Sequence, residues 1–242
     1  MMSLTKLKPG FFVTGTDTEI GKTLIAGSLI LKLQTQYDRV GGFKPVVAGT
    51  YVNPQGLVVN EDLETLLSAS SVKLQAAEIC PYIFDQAAAP HLVGRQSNIT
   101  LEIPTIIEAF EKYQAHLDAV VVEGVGGFLV PLNDHQNLGD LAKTLSLPVV
   151  LVVGMRLGCI NHALLSVEAI LSRGLKLAGW VANVMDPHML LLEENFDTLK
   201  KLIPAPCFGF VKHLPENLKK TEQGAYSLEA LKWAANSLDI ET

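Results

Sequence analysis

Several residue classes are scarce in this sequence, and each scarcity excludes something. Only three of the 242 residues are cysteine: Cys80, Cys159 and Cys207. They form no C-x-x-C pair and have no metal-like spacing, so neither a disulfide scaffold nor a zinc site is expected. They read as reduced thiols of a cytoplasmic protein. Long apolar runs are also missing. The most apolar stretch, LPVVLVVG, falls far short of the roughly 20 residues that a membrane helix needs. The amino-terminal stretch MMSLTKLKPGFFVTG lacks the apolar core and small-residue cleavage site of a secretory signal. Positive charge is in deficit. With 19 Lys and Arg against 25 Asp and Glu, the net charge is −6, so neither a nucleic-acid nor a membrane partner is expected. A local basic pocket for a small anion remains compatible with that balance.

Apolar residues make up 48% of the chain and charged residues 18%, the composition of a folded core. Short, continuous, β-rich runs recur: GFFVTG, RVGGFKPVV, AVVVEG, LPVVLVVG, LAGWVANV and APCFGFV. Runs that do not alternate apolar with polar read as strands of a parallel sheet covered on both faces. Between them lie helical stretches at 22–36, 103–116, 161–173, 188–201 and 227–238, the last beginning on a Ser cap. This alternation predicts one α/β domain over residues 1–242, a mostly parallel sheet with helices on both faces. Residues 50–100 are the least regular and are expected to form a lobe over the carboxyl edge of the sheet.

The stretch GFFVTGTDTEIGKTLIAG places Gly-Lys-Thr between an apolar run and a helix. It is a variant of the phosphate-loop pattern G-x-x-x-x-G-K-[ST], because Thr16 stands where the first glycine belongs and Gly15 comes one place earlier. The physics survives the change. Successive N–H groups from Thr18 to Thr23 can wrap an anion at a helix start. Lys22 adds a mobile cation, and the Thr23 hydroxyl is a possible Mg²⁺ ligand. The alternative is an ordinary strand–turn–helix junction with a surface lysine.

The run AVVVEGVGG ends a strand on Glu123, the expected acid of such a site, with Gly124 and Gly126 leaving room for close approach. In GGFKPVVAG, Lys44 precedes Pro45, either as a cation aimed at the phosphates or as a solvent lysine. Asp62 lies at a helix start, where helix capping and metal binding are equally open. Asn183 ends a strand, as a reader of a purine edge or as a turn former. Gly158 to Asn161 lead into a helix and offer a second anion-binding end, with Arg156 near. Cys159 has no base near it in sequence and reads as structural or as a backbone contact.

Taken together and in order, GTDTEIGKT, KPV, VEGVGG, VVGMRLGCINHALL, GWVAN and IPAP resemble the dethiobiotin synthetase family. The resemblance spans about residues 11 to 210. It implies a phosphate-loop NTPase fold and an ATP- and Mg²⁺-dependent ligase. Such an enzyme joins CO₂ to 7,8-diaminopelargonate and closes a ureido ring through a carbamic-phosphoric anhydride. The same resemblance implies roles. Lys22 and Lys44 would be catalytic. Glu19, Ile20, Gly21, Lys22, Thr23 and Leu24 would wrap the phosphates, with Asp62, Glu123, Gly124, Val125 and Gly126 beside the nucleotide. Asn183, Pro204, Ala205 and Pro206 would touch the adenine. Thr23, Asp62 and Glu123 would hold Mg²⁺. Thr18, Lys44 and the Gly158, Cys159, Ile160, Asn161 turn would bind the diamine, the turn coming from the other subunit of a homodimer. Two positions depart from the family pattern: Ala48 stands where a serine is frequent, and Phe210 where some members carry an acid. The rival class is a partitioning-type ATPase switch. Its extra early loop lysine has no counterpart in Asp17 to Thr23. Another phosphate-loop ligase is a further alternative.

Overall fold

Strands in this chain are built from residues that bury both faces. All seven residues of Val149–Met155 and all five of Ala119–Glu123 are buried. The computed structural model describes residues 7–53, 55–220 and 224–240. The amino-terminal residues 1–6, where the expectation of no secretory signal begins, lie outside that range.

From the amino end, the chain runs β1 (Gly10–Gly15), α1 (Lys22–Leu33), β2 (Val40–Phe43), β3 (Val46–Ala48), β4 (Tyr51–Val52) and β5 (Val58–Val59). Next come α2 (Glu61–Ala69), α3 (Ala76–Ile79), β6 (Tyr82–Phe84), α4 (Pro90–Gln96), α5 (Ile103–Gln114) and β7 (Ala119–Glu123). The last part holds α6 (Leu138–Leu145), β8 (Val149–Met155), α7 (Cys159–Leu171), β9 (Leu177–Val184), α8 (Leu192–Leu202), β10 (Cys207–Val211) and α9 (Leu228–Ala235).

Six strands form one sheet in the order β10-β9-β8-β1-β7-β2, every neighbouring pair parallel. From β1 the chain moves one way to β2 and later the other way from β8 to β9. Crossovers of one hand running in opposite directions put α1 and α7 on opposite faces. Where the direction reverses, a crevice opens at the carboxyl ends of the strands, the usual ligand position in such sheets. Register brings Val13 beside Glu123 and Gly15 beside Val152, so the β1, β7 and β8 ends share one rim.

The expected run RVGGFKPVV divides in two. Val40–Phe43 joins the main sheet, whereas Val46–Ala48 pairs with β6 in a separate small sheet. The break falls at Lys44-Pro45, where Lys44 N–H donates to Ile79 O at 2.8 Å instead of continuing the ladder. Helix ends shift for local reasons. The expected 188–201 helix starts only at Leu192, because Asp186 accepts from His188 N–H and Met189 N–H in a turn and Leu191 takes φ 54°. The expected 161–173 helix starts two residues early, on Gly158 as N-cap. Ser227 caps α9 as expected, accepting from Ala230 N–H. Helix α6 was not foreseen, although Asn137 and Asp140 form a reciprocal capping box at its start.

Candidate active site

The loop between β1 and α1 lies on the shared rim. Its backbone is held by Asn183 at the end of β9, whose Nδ2 donates to Ile20 O at 2.8 Å. Gly21 sits at φ 82°, and a Cβ there would fall 2.3 Å from Asn183 Nδ2, so only glycine fits. Ile20 is buried and anchors the loop to the core, while Glu19 turns outward at φ 56°. Helix α1 has no side-chain N-cap, so the first-turn N–H groups of Lys22, Thr23 and Leu24 are available to an anion. Lys22 is 7% exposed, and its Nζ donates to Asp17 O at 2.7 Å. Burial and then repulsion from Lys44 push its ammonium down to about 8.

Four side chains from distant parts of the chain meet on one side of this loop. Lys44 Nζ lies 2.6 Å from Glu123 Oε1 and 2.8 Å from Asp62 Oδ2, and it also donates to Gly124 O at 3.2 Å. Thr23 Oγ1 lies 2.6 Å from Asp62 Oδ1 and 2.8 Å from Glu123 Oε1. Lys44 and Glu123 are fully inside. Burial alone would neutralise Lys44, but the two carboxylates outweigh it and hold its ammonium above the ordinary lysine range. Burial likewise raises Asp62, yet Lys44 and the hydrogen bonds from Lys44 and Thr23 win and keep that carboxyl low. For Glu123 burial prevails and the carboxyl stays raised despite Lys44. Its Oε2 is a buried oxygen with no hydrogen-bond partner among the described residues.

Each position has a structural cause. Lys44 follows β2, Glu123 ends β7 between β2 and β1, and Thr23 opens α1. Asp62 lies in the first turn of α2, but Asn60 is the cap, accepting from Asp62 N–H and Leu63 N–H. That choice leaves the Asp62 carboxylate free to face Lys44 and Thr23. Asn60 was not singled out in sequence, although N-x-D before a helix was the available signal. Gly124, Val125 and Gly126 continue past Glu123, and a Cβ on Gly126 would sit 3.4 Å from Thr18 Oγ1, so this turn lines the loop.

Other expected residues fall elsewhere. Gly158 to Asn161 start α7 beyond β8, with Leu157 beside them 93% exposed. Pro204, Ala205 and Pro206 are not brought to the loop. Pro206 O accepts from Trp180 N–H just before β10, and Trp180 pairs with Cys207 while Asn183 pairs with Val211. The Pro204–Pro206 segment therefore lies at the amino edge of the sheet, opposite the site. A segment preceding a parallel strand cannot reach the rim that the strand's end approaches. The segment that follows β10 does reach it, with His213 Nδ1 3.3 Å from Val184 O. Phe210 packs edge-to-face on Phe196 at 4.8 Å and is occupied there. Thr50, the hydroxyl nearest in sequence to Ala48, donates to Asp85 Oδ1 at 2.9 Å.

A parallel sheet with a phosphate loop at its switch point, and lysines, acids and a threonine gathered beside that loop, defines an α/β protein of the phosphate-loop NTPase type. Comparison with known proteins refines this. A family model described as an AAA domain matches residues 9–221. A curated relative from Ralstonia nicotianae named ATP-dependent dethiobiotin synthetase BioD is 50% identical over 204 residues, covering 84% of this chain and 89% of its own. One of the same name from Pseudomonas aeruginosa is 51% identical over 209 residues, covering 86% and 91%. The chain belongs to the ATP-dependent dethiobiotin synthetase family. Among solved structures, a ParA family ATPase from Chlorobium tepidum matches with a TM-score of 0.55 at 12% identity over 96% of this chain and 91% of that one. MinD from Aquifex aeolicus matches with a TM-score of 0.52 at 13% identity over 94% and 95%. At that identity the likeness is one of fold alone, and the partitioning-switch alternative is not favoured.

Proposed function

We propose that this chain is an ATP-dependent ligase that makes dethiobiotin, forming carbon–nitrogen bonds to close a ureido ring on 7,8-diaminopelargonate. One amine of the diamine takes up CO₂ as a carbamate and gives up a proton. The carbamate oxygen attacks the γ-phosphorus of ATP, which releases ADP and leaves a carbamic-phosphoric anhydride. The second amine attacks the carbamoyl carbon, inorganic phosphate departs, and the ring closes. Carbamate and triphosphate are both anions, so their meeting requires fixed positive charge and backbone donors. The convergence of Lys22 and Lys44 with Thr23, Asp62 and Glu123 on one rim is the single observation that carries this reading.

In this reading Lys22 leaves the Asp17 carbonyl for the phosphates, and Lys44 faces the reacting oxygens. Glu19 to Leu24 present N–H groups to the phosphates, and Gly124 to Gly126 border them. Asn183 and the segment after β10 flank the base. Thr23, Asp62 and Glu123 are hard oxygen donors suited to Mg²⁺, and the orphaned Glu123 Oε2 supplies a buried lone pair for it. Bound there, Mg²⁺ contributes positive charge against the phosphates. Thr18 and Lys44 contact the diamine end, and Gly158 to Asn161 of a second copy take its carboxylate tail at the α7 start. A homodimer acting in the cytoplasm as one domain follows from this reading. Among the described residues no helix is long and apolar enough to cross a membrane. The decisive assay is phosphate release with ATP, Mg²⁺ and bicarbonate. The proposal requires it to depend on the diamine and to yield a cyclic urea. Release that ignores the diamine favours the ATPase switch.

A further inference from the structure

The Asp17 side chain has no role in the scheme above, yet three contacts meet on this residue. Its Oδ1 accepts from Thr18 N–H at 2.7 Å, and its carbonyl accepts from Lys22 Nζ at 2.7 Å. Its Oδ2 is paired with the guanidinium of Arg156. Arg156 stands between β8 and Gly158, the N-cap of α7, and its own carbonyl accepts from Cys159 N–H at 3.0 Å. One arginine thus grips the phosphate loop with its side chain and opens α7 with its backbone. A carboxylate on a loop that must receive a polyphosphate works against that ligand unless a cation neutralises it. The side chains of Arg156 and Asp17 are 46% and 43% exposed, so the pair is poorly placed to hold the fold together.

We propose that Arg156 is a positioning residue for the nucleotide phosphates: it neutralises Asp17 and ties the phosphate loop to the start of α7, so that the Asp17 carbonyl presents Lys22 to the incoming phosphates. Loop and α7 start then move as one unit, which links the ATP end of one site to the turn that the same copy lends to the diamine tail in its partner's site. The inference rests on the nucleotide reading of the loop given above.

The test is calorimetric binding of a non-hydrolysable ATP analogue with Mg²⁺ and without diamine. Arg156→Gln is expected to weaken binding about fivefold, the scale of one exposed charge pair. Asp17→Asn removes the charge and keeps the Oδ1 acceptor for Thr18. Combined with Arg156→Gln, it should restore affinity to within about twofold of the native protein. Arg156→Lys should stay close to native, and all four proteins should melt together. Unchanged affinity in Arg156→Gln overturns the inference. A loss that Asp17→Asn does not relieve overturns it too, because Arg156 would then be acting on the nucleotide and not through Asp17. Failure of the native protein to bind the analogue would instead remove the nucleotide reading itself.

Discussion

A lysine ammonium held inside a protein is either matched or misplaced, and this site contains one of each. Lys44 is matched by two carboxylates, whereas Lys22 has only a backbone carbonyl. The Lys22 ammonium ionises near 8 in the folded chain against 10.5 as a free side chain. The native state therefore binds fewer protons than the unfolded state between those values, and this residue makes stability rise with pH across that window. Below pH 8 its charge costs the free protein on the order of 3 kcal/mol. Lys22→Met should accordingly raise urea stability at pH 7 by up to about that amount, flatten the rise between pH 8 and 10, and abolish turnover. A less stable Lys22→Met protein would contradict this. Lys44→Ala has the opposite sign. It leaves Glu123 and Asp62 facing each other, so a loss of about 3 kcal/mol is expected along with a fall in rate by orders of magnitude. Unfolding curves and initial rates on the same preparation check both parts. In sequence each lysine also carried a surface reading, because burial depends on which strands close over it.

Among the elements, α2 and the phosphate loop carry the precision of the site. Helix α2 begins on Asn60, which caps Asp62 and Leu63 and also donates to Gly49 O at 2.7 Å. Asn60→Ala should cost about 1–2 kcal/mol and release Asp62 from its place. The expected kinetic signature is a higher Mg²⁺ requirement at unchanged diamine affinity, read from Mg²⁺ titrations of the rate. An unaltered Mg²⁺ dependence would mean that Asp62 holds its position without the cap. Gly21→Ala should be more severe, because it meets both a positive φ and the Asn183 amide. Loss of nucleotide binding with a largely preserved far-ultraviolet spectrum is expected. The capping signals were legible as letters, and Ser227 was read correctly from them. At Asp62 the same rule left capping and metal binding equally open, since N-cap chemistry does not say which of several polar residues takes the cap.

At the scale of the whole molecule, the homodimer proposed above rests on the family resemblance, which assigns the α7 turn of a second copy to the diamine tail. The turn is flanked by Leu157, 93% exposed, and Leu190, 87% exposed, follows the neighbouring strand. Covering such side chains would stabilise association. Sedimentation should give twice the chain mass, and Leu157→Glu should shift it toward the monomer with a parallel fall in turnover. Full turnover by a monomeric variant would remove the shared-site part of the proposal.

The letters alone determined the parallel α/β architecture, because uninterrupted β-rich runs separated by amphipathic stretches can bury both strand faces in few other ways. They also marked Gly-Lys-Thr and Glu123 as parts of one site, since each is a local strand-end signature and the two are the halves of one phosphate-loop pattern. The tertiary structure alone decided which edge of the sheet each segment meets. It set Pro204 to Pro206 at the edge of the sheet opposite the phosphate loop and turned Phe210 into the Phe196 cluster. It also joined Arg156 to Asp17 across the loop. Those outcomes depend on strand order and direction. Both are set by the packing of residues far apart in the chain, and neither is encoded in any short stretch of it.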